Sequence, residues 1–320
     1  MIFMKIKDEI LEVLSGLRPT YDKTKAFLEH EEPAKAISLI LGEPNGIEMI
    51  EYICKELKMG KLPIYSIDKF IGKSEFQHII ETFYSENNNN VLDIILPLYH
   101  QIWVNDENDA KAIFDTLKKV ESSSAVRSNE FVLCICLECH TYSTTDEGDT
   151  CNSCGVDNLV KIYEFYLSDT AKSVLRNRQF LEIYAKHCLK KSGIEVIGWK
   201  GDDKHLVCTS INYQVEGELV DVDVHGITDP IGILLCECKT SKKIKMTDLR
   251  KVEDVYNRLT NKIIDLMGGR KINFPKVFVI TGEFDGNIPI GAYKRKEWDL
   301  LDRTKITDLV AEFERIKSEI

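Results

Sequence analysis

Over the first third of the chain, apolar residues recur at helical intervals. Ile6, Ile10, Leu11, Val13, Leu14 and Leu17 fall on one helical face, and Pro33 suits the first turn of a helix over residues 34–41. The same spacing predicts helices over 47–57, 75–84, 91–103 and 109–120, with the polar loop Asn87-Asn88-Asn89-Asn90 between two of them. Beyond a Ser122-Ser123-Ser124 linker the period changes. Residues 131–135 and 159–166 read as strands on either side of a polar stretch rich in cysteine.

From residue 168 the pattern is mixed α/β. A helix is predicted over 170–191 with Gly193 as its stop, then strands over 194–199, 206–211, 220–224 and 233–240. A helix over 247–267 follows, with Thr247 as N-cap and Gly268-Gly269 as its end. Its apolar stripe is Leu249, Val252, Tyr256, Leu259, Ile263 and Met267. A buried strand over 276–281 and a last helix over 307–317 close the chain.

Composition narrows the class. With 320 residues the chain fits two or three domains, and 43% hydrophobic against 29% charged residues marks it as globular. No apolar run approaches the ~20 residues of a membrane span. The first acids arrive before any long apolar run, so neither a signal peptide nor a membrane partner is expected, and the expected location is cytoplasmic. Cys54, Cys188, Cys208 and Cys236 are scattered in apolar stretches, as reduced thiols are. The formal net charge of −10 disfavours nucleic-acid binding by bulk electrostatics. The charge is uneven, however: residues 171–320 hold 26 basic against 23 acidic side chains. The basic run Lys239-Thr240-Ser241-Lys242-Lys243-Ile244-Lys245 reads either as a solvated loop or as a phosphate-binding one.

Two groups of residues carry chemistry. Cys136-x2-Cys139 and Cys151-x2-Cys154 are two tight turns that each aim two thiolates at one centre, the arrangement of a structural Zn²⁺ site. Cys136-Leu137-Glu138-Cys139-His140 also fits a haem-attachment pattern, but that leaves the second pair unexplained. Cys134 and His140 are alternative ligands with no better spacing. Asp146, Glu147, Asp149 and Asp157 make this module acidic, which favours a staple or protein contact over a DNA clamp. The second group lies on two strands. Asp221 and Asp223 share one face of the first, with His225 beyond them; Glu237 and Lys239 share one face of the next. Charges at the ends of apolar strands are costly unless used. Asp221 and Asp223 compete for one ligand position. His225 reads as a polar strand-end residue or a ligand, and Glu182 as a functional acid or as a partner of Arg178 or Lys186.

The cysteine module resembles rubredoxin-type zinc ribbons. The order of helix with Phe180-Leu181-Glu182, strand ending in Asp223, strand ending in Glu237-Cys238-Lys239-Thr240, helix and strand resembles the restriction-endonuclease-like PD-(D/E)xK nucleases. The likeness is greatest to the branch with archaeal Holliday-junction resolvases and the nuclease domains of CRISPR ancillary effectors. Together with the helical spacing of residues 1–125, these resemblances imply a multidomain α plus α/β chain: an all-helical domain over 1–125, a zinc ribbon over 126–168, and a three-layer α/β/α nuclease domain with a mixed sheet over 169–320. The nuclease likeness implies Mg²⁺ or Mn²⁺ held by Asp223, Glu237 and the Cys238 carbonyl, and Lys239 orienting or deprotonating a water. Glu182 would be a further acid, and Lys242, Lys243 and Lys245 would contact substrate. The implied activity is phosphodiester hydrolysis on nucleic acid, DNA rather than RNA, in defence, restriction or repair. A homodimer and a protein partner or regulator for residues 1–125 go with it. A regulated effector and a non-catalytic interaction module of the same fold are the alternatives.

Overall fold

The computed structural model describes the chain except residues 1, 21–30, 43–45, 59–63, 69–71, 87, 103–114, 116–117, 119–125, 147, 201–206, 209, 229–231, 295–296 and 320. Most of the predicted helix over 109–120 and the serine linker lie outside the described residues. In chain order the first elements are α1 (Ile2–Gly16), α2 (Glu31–Leu41), α3 (Gly46–Lys58), β1 (Ile64–Ile67), α4 (Lys73–Ser85), α5 (Asn89–Ile102), β2 (Val126–Cys136), β3 (Tyr142–Ser143), β4 (Leu159–Leu167) and α6 (Asp169–Arg176). There follow α7 (Phe180–Lys191), β5 (Glu195–Val196), β6 (Trp199–Lys200), β7 (Val207–Cys208), β8 (Ile211–Val215), β9 (Glu218–Val222), β10 (Val224–Thr228) and β11 (Gly232–Lys239). The last are β12 (Lys243–Ile244), α8 (Met246–Leu266), β13 (Lys276–Ile280), β14 (Glu283–Phe284), α9 (Ile290–Lys294), β15 (Trp298–Leu301), α10 (Arg303–Ile306) and α11 (Leu309–Glu319).

These elements form two units, Met1–Ile47 with Asn177–Ile320, and Glu48–Arg176. The division differs from the boundaries expected at 125 and 168. The apolar face of α1 is the reason: Ile10, Leu14 and Leu17 are buried in the same core as Leu235, Leu249, Tyr256 and Phe278. Thr20 then pairs with Asn212 through two backbone hydrogen bonds, so the chain after α1 adds to the edge of β8. Full burial of each such apolar side chain contributes roughly 1.5–3 kcal/mol, which helical spacing alone cannot assign to a partner. The first 125 residues are also not all helical, since β1 pairs antiparallel with β4. The helix predicted over 170–191 is two helices, broken where Arg178 takes a positive φ of 56°.

In the first unit, five strands run in the order β15-β13-β11-β10-β5. β11, β13 and β15 are parallel, whereas β10 is antiparallel to both β11 and β5. Ile233 and Leu235 of β11 and Phe278 of β13 pack with the buried stripe of α8. On the other face α7 packs against β10 and β11. The carboxyl ends of β11, β13 and β15 open on one edge, where sheets of this kind bind ligands.

In Glu48–Arg176, the sheet runs β1-β4-β2-β3. Phe76, Ile79 and Phe83 of α4 and Val91, Leu92 and Ile95 of α5 pack against Leu133, Ile135, Val160 and Ile162. Asn89, Asn90, Asp93 and Leu96 are the exposed side chains described on α5. They include no base to meet a phosphate.

Candidate functional site

Asp223 lies where the chain changes sheets. β9 pairs with β8 in a hairpin, β10 pairs with β11, and Asp223 is the one residue between β9 and β10. It is 3% exposed, and its Oδ2 accepts the Cys238 backbone N–H at 2.8 Å. Val224 pairs with Cys236, so continuing that register sets Asp223 opposite Glu237. Glu237 is 6% exposed. Its Oε1 meets Lys239 Nζ at 2.5 Å, and its Oε2 accepts the Tyr256 hydroxyl at 2.9 Å.

The electrostatics follow from that packing. Burial, then the neighbouring Asp223 carboxylate, pushes Glu237 up to about 7, while Lys239 and Tyr256 act the other way. Burial works against the Lys239 ammonium, but Glu237 and Asp223 outweigh it and hold its pKa above the ordinary lysine value. Lys239 still reaches solvent, with 46% of its side chain exposed. The arrangement is therefore two dry carboxylates closed by one half-exposed cation.

The other expected residues take different places. Asp221 pairs across the β8–β9 hairpin with Asn212 and is exposed, yet its charge reaches Lys239. Of the two competing aspartates, Asp223 is the one buried beside Glu237. His225 is fully buried, with Nε2 2.7 Å from the Tyr213 hydroxyl, and both rings belong to the interior rather than to the open edge. Cys236 and Cys238 face the opposite side from Glu237, with sulfurs 3.8 Å apart. The Lys239 carbonyl accepts from Thr281 on the β13 side, so the Cys238 carbonyl turns to the Asp223 side. Glu182 sits in the first turn of α7 and is half-buried. Burial, then Cys236, raises the Cys238 thiol pKa, and the charges of Asp223 and Glu182 add to that. Among the described residues Glu182 does not converge with Asp223 and Glu237 as a three-ligand group.

The basic run forms a ledge beside this edge. Lys242, Lys243 and Lys245 are exposed, and Lys243 stands 3.7 Å from Asp285. Lys245, not Thr247, is the N-cap of α8, because Asp248 Oδ2 accepts the Lys245 N–H. Gly282 anchors the loop: a Cβ there would lie 2.1 Å from the Lys242 carbonyl and 2.3 Å from that of Ser241. The Glu283 N–H bonds the Lys242 carbonyl at 3.0 Å, and the Gly282 carbonyl accepts from Arg303 at 3.0 Å.

Tyr256 was visible in the sequence only as one member of an apolar helical stripe, since spacing does not report where a hydroxyl points. Lys243–Ile244 and Glu283–Phe284 form a short parallel pair that carried no sequence signal at all.

The second cluster is the cysteine module. The sulfurs of Cys136, Cys139, Cys151 and Cys154 all lie within 4.8 Å of one another, a set able to hold a metal such as zinc. Two equivalent turns build it. The His140 N–H bonds the Cys136 carbonyl at 3.0 Å, and the Gly155 N–H bonds that of Cys151 at 2.8 Å. Both closing residues take positive φ, 56° at His140 and 72° at Gly155. Glycine adopts that conformation freely, and histidine is among the few other residues that take it. Thr141 Oγ1 lies 3.0 Å from Cys139 and 3.6 Å from Cys151. That hydroxyl is the main cause bringing Cys151 down to about 6, whereas against a backbone hydrogen bond at Val156, burial and the other three cysteines push Cys154 up to about 12. Cys134 instead points its sulfur toward the Thr145 carbonyl, and the His140 ring stands edge-on to His78 at 4.8 Å.

No protein-family model and no curated protein matches this chain. Among solved structures, the crystal structure of protein VC1899 from Vibrio cholerae aligns with a TM-score of 0.46 and 12% sequence identity. The alignment covers 97% of this chain and 61% of that one, so this chain spans less than two thirds of its length. Among the described residues no helix is long and apolar enough to cross a membrane.

Proposed function

We propose that this chain is a divalent-metal-dependent nuclease that hydrolyses phosphodiester bonds, with DNA the favoured substrate. The observation that carries the reading is the pairing of two buried carboxylates, Asp223 and Glu237, with Lys239 at the carboxyl edge of a parallel strand set. The proposed core is restriction-endonuclease-like, an α7/sheet/α8 sandwich completed by residues Met1–Ile47, with the cysteine module as a Zn²⁺ staple.

The donor set fits Mg²⁺ or Mn²⁺. Two carboxylates and a strand carbonyl are hard oxygen ligands, and two adjacent acids in a dry site favour a bound cation over mutual repulsion. Asp223 and Glu237, with the Cys238 carbonyl, would hold it. When bound, such an ion neutralises phosphate charge and lowers the pKa of water. Lys239 does the rest from this chain: it stays charged, reaches solvent, and can orient the attacking water against the phosphate. Lys242, Lys243 and Lys245 would steer the substrate backbone to that edge.

The test is to incubate the protein with plasmid and single-stranded DNA and with RNA, in Mg²⁺ or in EDTA. Cleavage that needs Mg²⁺ and vanishes in Glu237→Ala supports the reading. Absence of cleavage, or cleavage unaltered in Glu237→Ala, leaves a non-catalytic interaction module as the better account.

A further inference from the structure

Tyr256 is fully buried near the middle of α8, ten residues after the helix begins. Its hydroxyl donates to Glu237 Oε2 at 2.9 Å. Its ring stacks on Trp298, with centroids 5.6 Å apart and planes 17° from parallel. Trp298 belongs to the cross-strand row Leu235–Lys276–Trp298, and Glu237 belongs to the next row, Glu237–Phe278–Leu300. The indole is thus a wall one row behind the carboxylate, and the phenol lies along it with its hydroxyl at Glu237. An aromatic ring trapped between a helix and a sheet has few rotamers open to it, so the direction of the hydroxyl is set by packing. The other oxygen of Glu237 faces Lys239 Nζ.

We infer that Tyr256 is the positioning residue of the acidic site: it commits one oxygen of Glu237 and leaves the other turned toward Lys239 and a divalent cation. The inference rests on the metal-dependent reading above and adds a residue outside the Asp and Glu-x-Lys pattern. A phenol suits the task because it is a neutral donor. It fixes the carboxylate without adding a positive charge that would compete with a cation. Partners that orient a ligating group are commonly worth about 10–100-fold in metal affinity.

The experiment uses the full chain with its zinc in place and reads free Mn²⁺ by electron paramagnetic resonance. The titration is run at one pH, well above that at which Glu237 ionises. Tyr256→Phe keeps the ring and its stack and removes only the hydroxyl. It is expected to bind Mn²⁺ about tenfold more weakly than the parent, with unchanged circular dichroism. Excess Mn²⁺ is expected to restore its DNA cleavage, but not that of Glu237→Ala. Should Tyr256→Phe fail to fold, Trp298→Phe, which loosens the wall and keeps an aromatic, is expected to shift affinity in the same direction. Equal Mn²⁺ affinity in parent and Tyr256→Phe overturns this inference and leaves the metal site standing. A parent that binds no Mn²⁺ overturns both. A Tyr256→Phe protein whose lost cleavage no excess of Mn²⁺ restores also overturns the inference, because the hydroxyl then does something other than orient a ligand.

Discussion

Asp223 Oδ2 accepts the backbone N–H of Cys238 at 2.8 Å. A side chain thus completes a strand hydrogen bond at the point where β9 and β10 part company, and that bond holds the carboxylate beside Glu237. Removing it with Asp223→Ala leaves a buried N–H without its acceptor, at a cost of about 1–3 kcal/mol. Asp223→Asn keeps an acceptor oxygen and removes one of two crowded charges. Thermal unfolding is expected to show a destabilised alanine variant and an asparagine variant at least as stable as the parent. Both should lose Mn²⁺ binding.

Stability should fall as pH rises through the weakly acid range. Burial, then Asp223, lifts the Glu237 pKa from 4.5 to about 7. Between those values the unfolded chain has released this proton and the folded chain retains it, so raising the pH favours unfolding. At about 1.4 kcal/mol per unit the full effect is about 3 kcal/mol, complete near pH 7. Urea unfolding of Glu237→Gln, without added divalent ions, is expected to lose that slope. A slope identical to the parent's would show that another group carries it.

The four clustered sulfurs lead to a metal-content prediction. Metal analysis of the purified protein should find about one Zn²⁺ per chain. Cys136→Ser should lose it and become sensitive to proteolysis between Leu137 and Asn158, since the small core beneath this module is built from Cys134, Cys136, Cys151 and Leu159. Full zinc content in Cys136→Ser would show that the Cys136 thiol is not a required ligand.

Gly282→Ala should displace the loop beside the acidic edge. The new methyl would lie 2.1 Å from the Lys242 carbonyl and 2.3 Å from that of Ser241, both backbone atoms that cannot swing away. Overpacking of this kind costs about 1–3 kcal/mol. The expected outcome is a fall in DNA affinity and cleavage with Mn²⁺ binding retained. Loss of Mn²⁺ binding as well would tie the loop to the metal site itself.

Lys242, Lys243 and Lys245 are expected to act through phosphate charge rather than base identity. Replacing all three with alanine should weaken binding alike on unrelated DNA sequences. The slope of log affinity against log salt should fall by about one for each lysine that contacts a phosphate. An unchanged slope would place the substrate elsewhere on the molecule.

Much of this was legible along the chain because it depends on short-range spacing. The two CxxC turns are local, and the structure gathers their four sulfurs. Alternation on β11 placed Glu237 and Lys239 on one face, and they meet there. The rest depends on what lies across a gap. Asp221 and Asp223 have the same parity on one extended stretch, so no local rule separates them. One is exposed in the β8–β9 hairpin, and the other is covered because the chain leaves that hairpin at residue 223 to join the main sheet. His225 gives no local sign of its partner, the Tyr213 hydroxyl of β8 at 2.7 Å. Arg178 interrupts what had the periodicity of one long helix, and the division between the two units falls beside it.

By itself, then, the sequence determined the elements whose hydrogen bonds and ligands lie within a few residues: the amphipathic helices, the cysteine turns, and the shared face of Glu237 and Lys239. Only the tertiary structure decided that α1 packs with Tyr256 and Leu235 rather than with the helices that follow it in the chain. It also decided that Asp223 stands beside Glu237 and that a tyrosine from α8 holds that carboxylate. The physical reason is the same in each case. Apolar burial is non-directional and says only that a face must be covered; which face covers it depends on contacts between residues far apart in the chain, and those exist only once the whole core has formed.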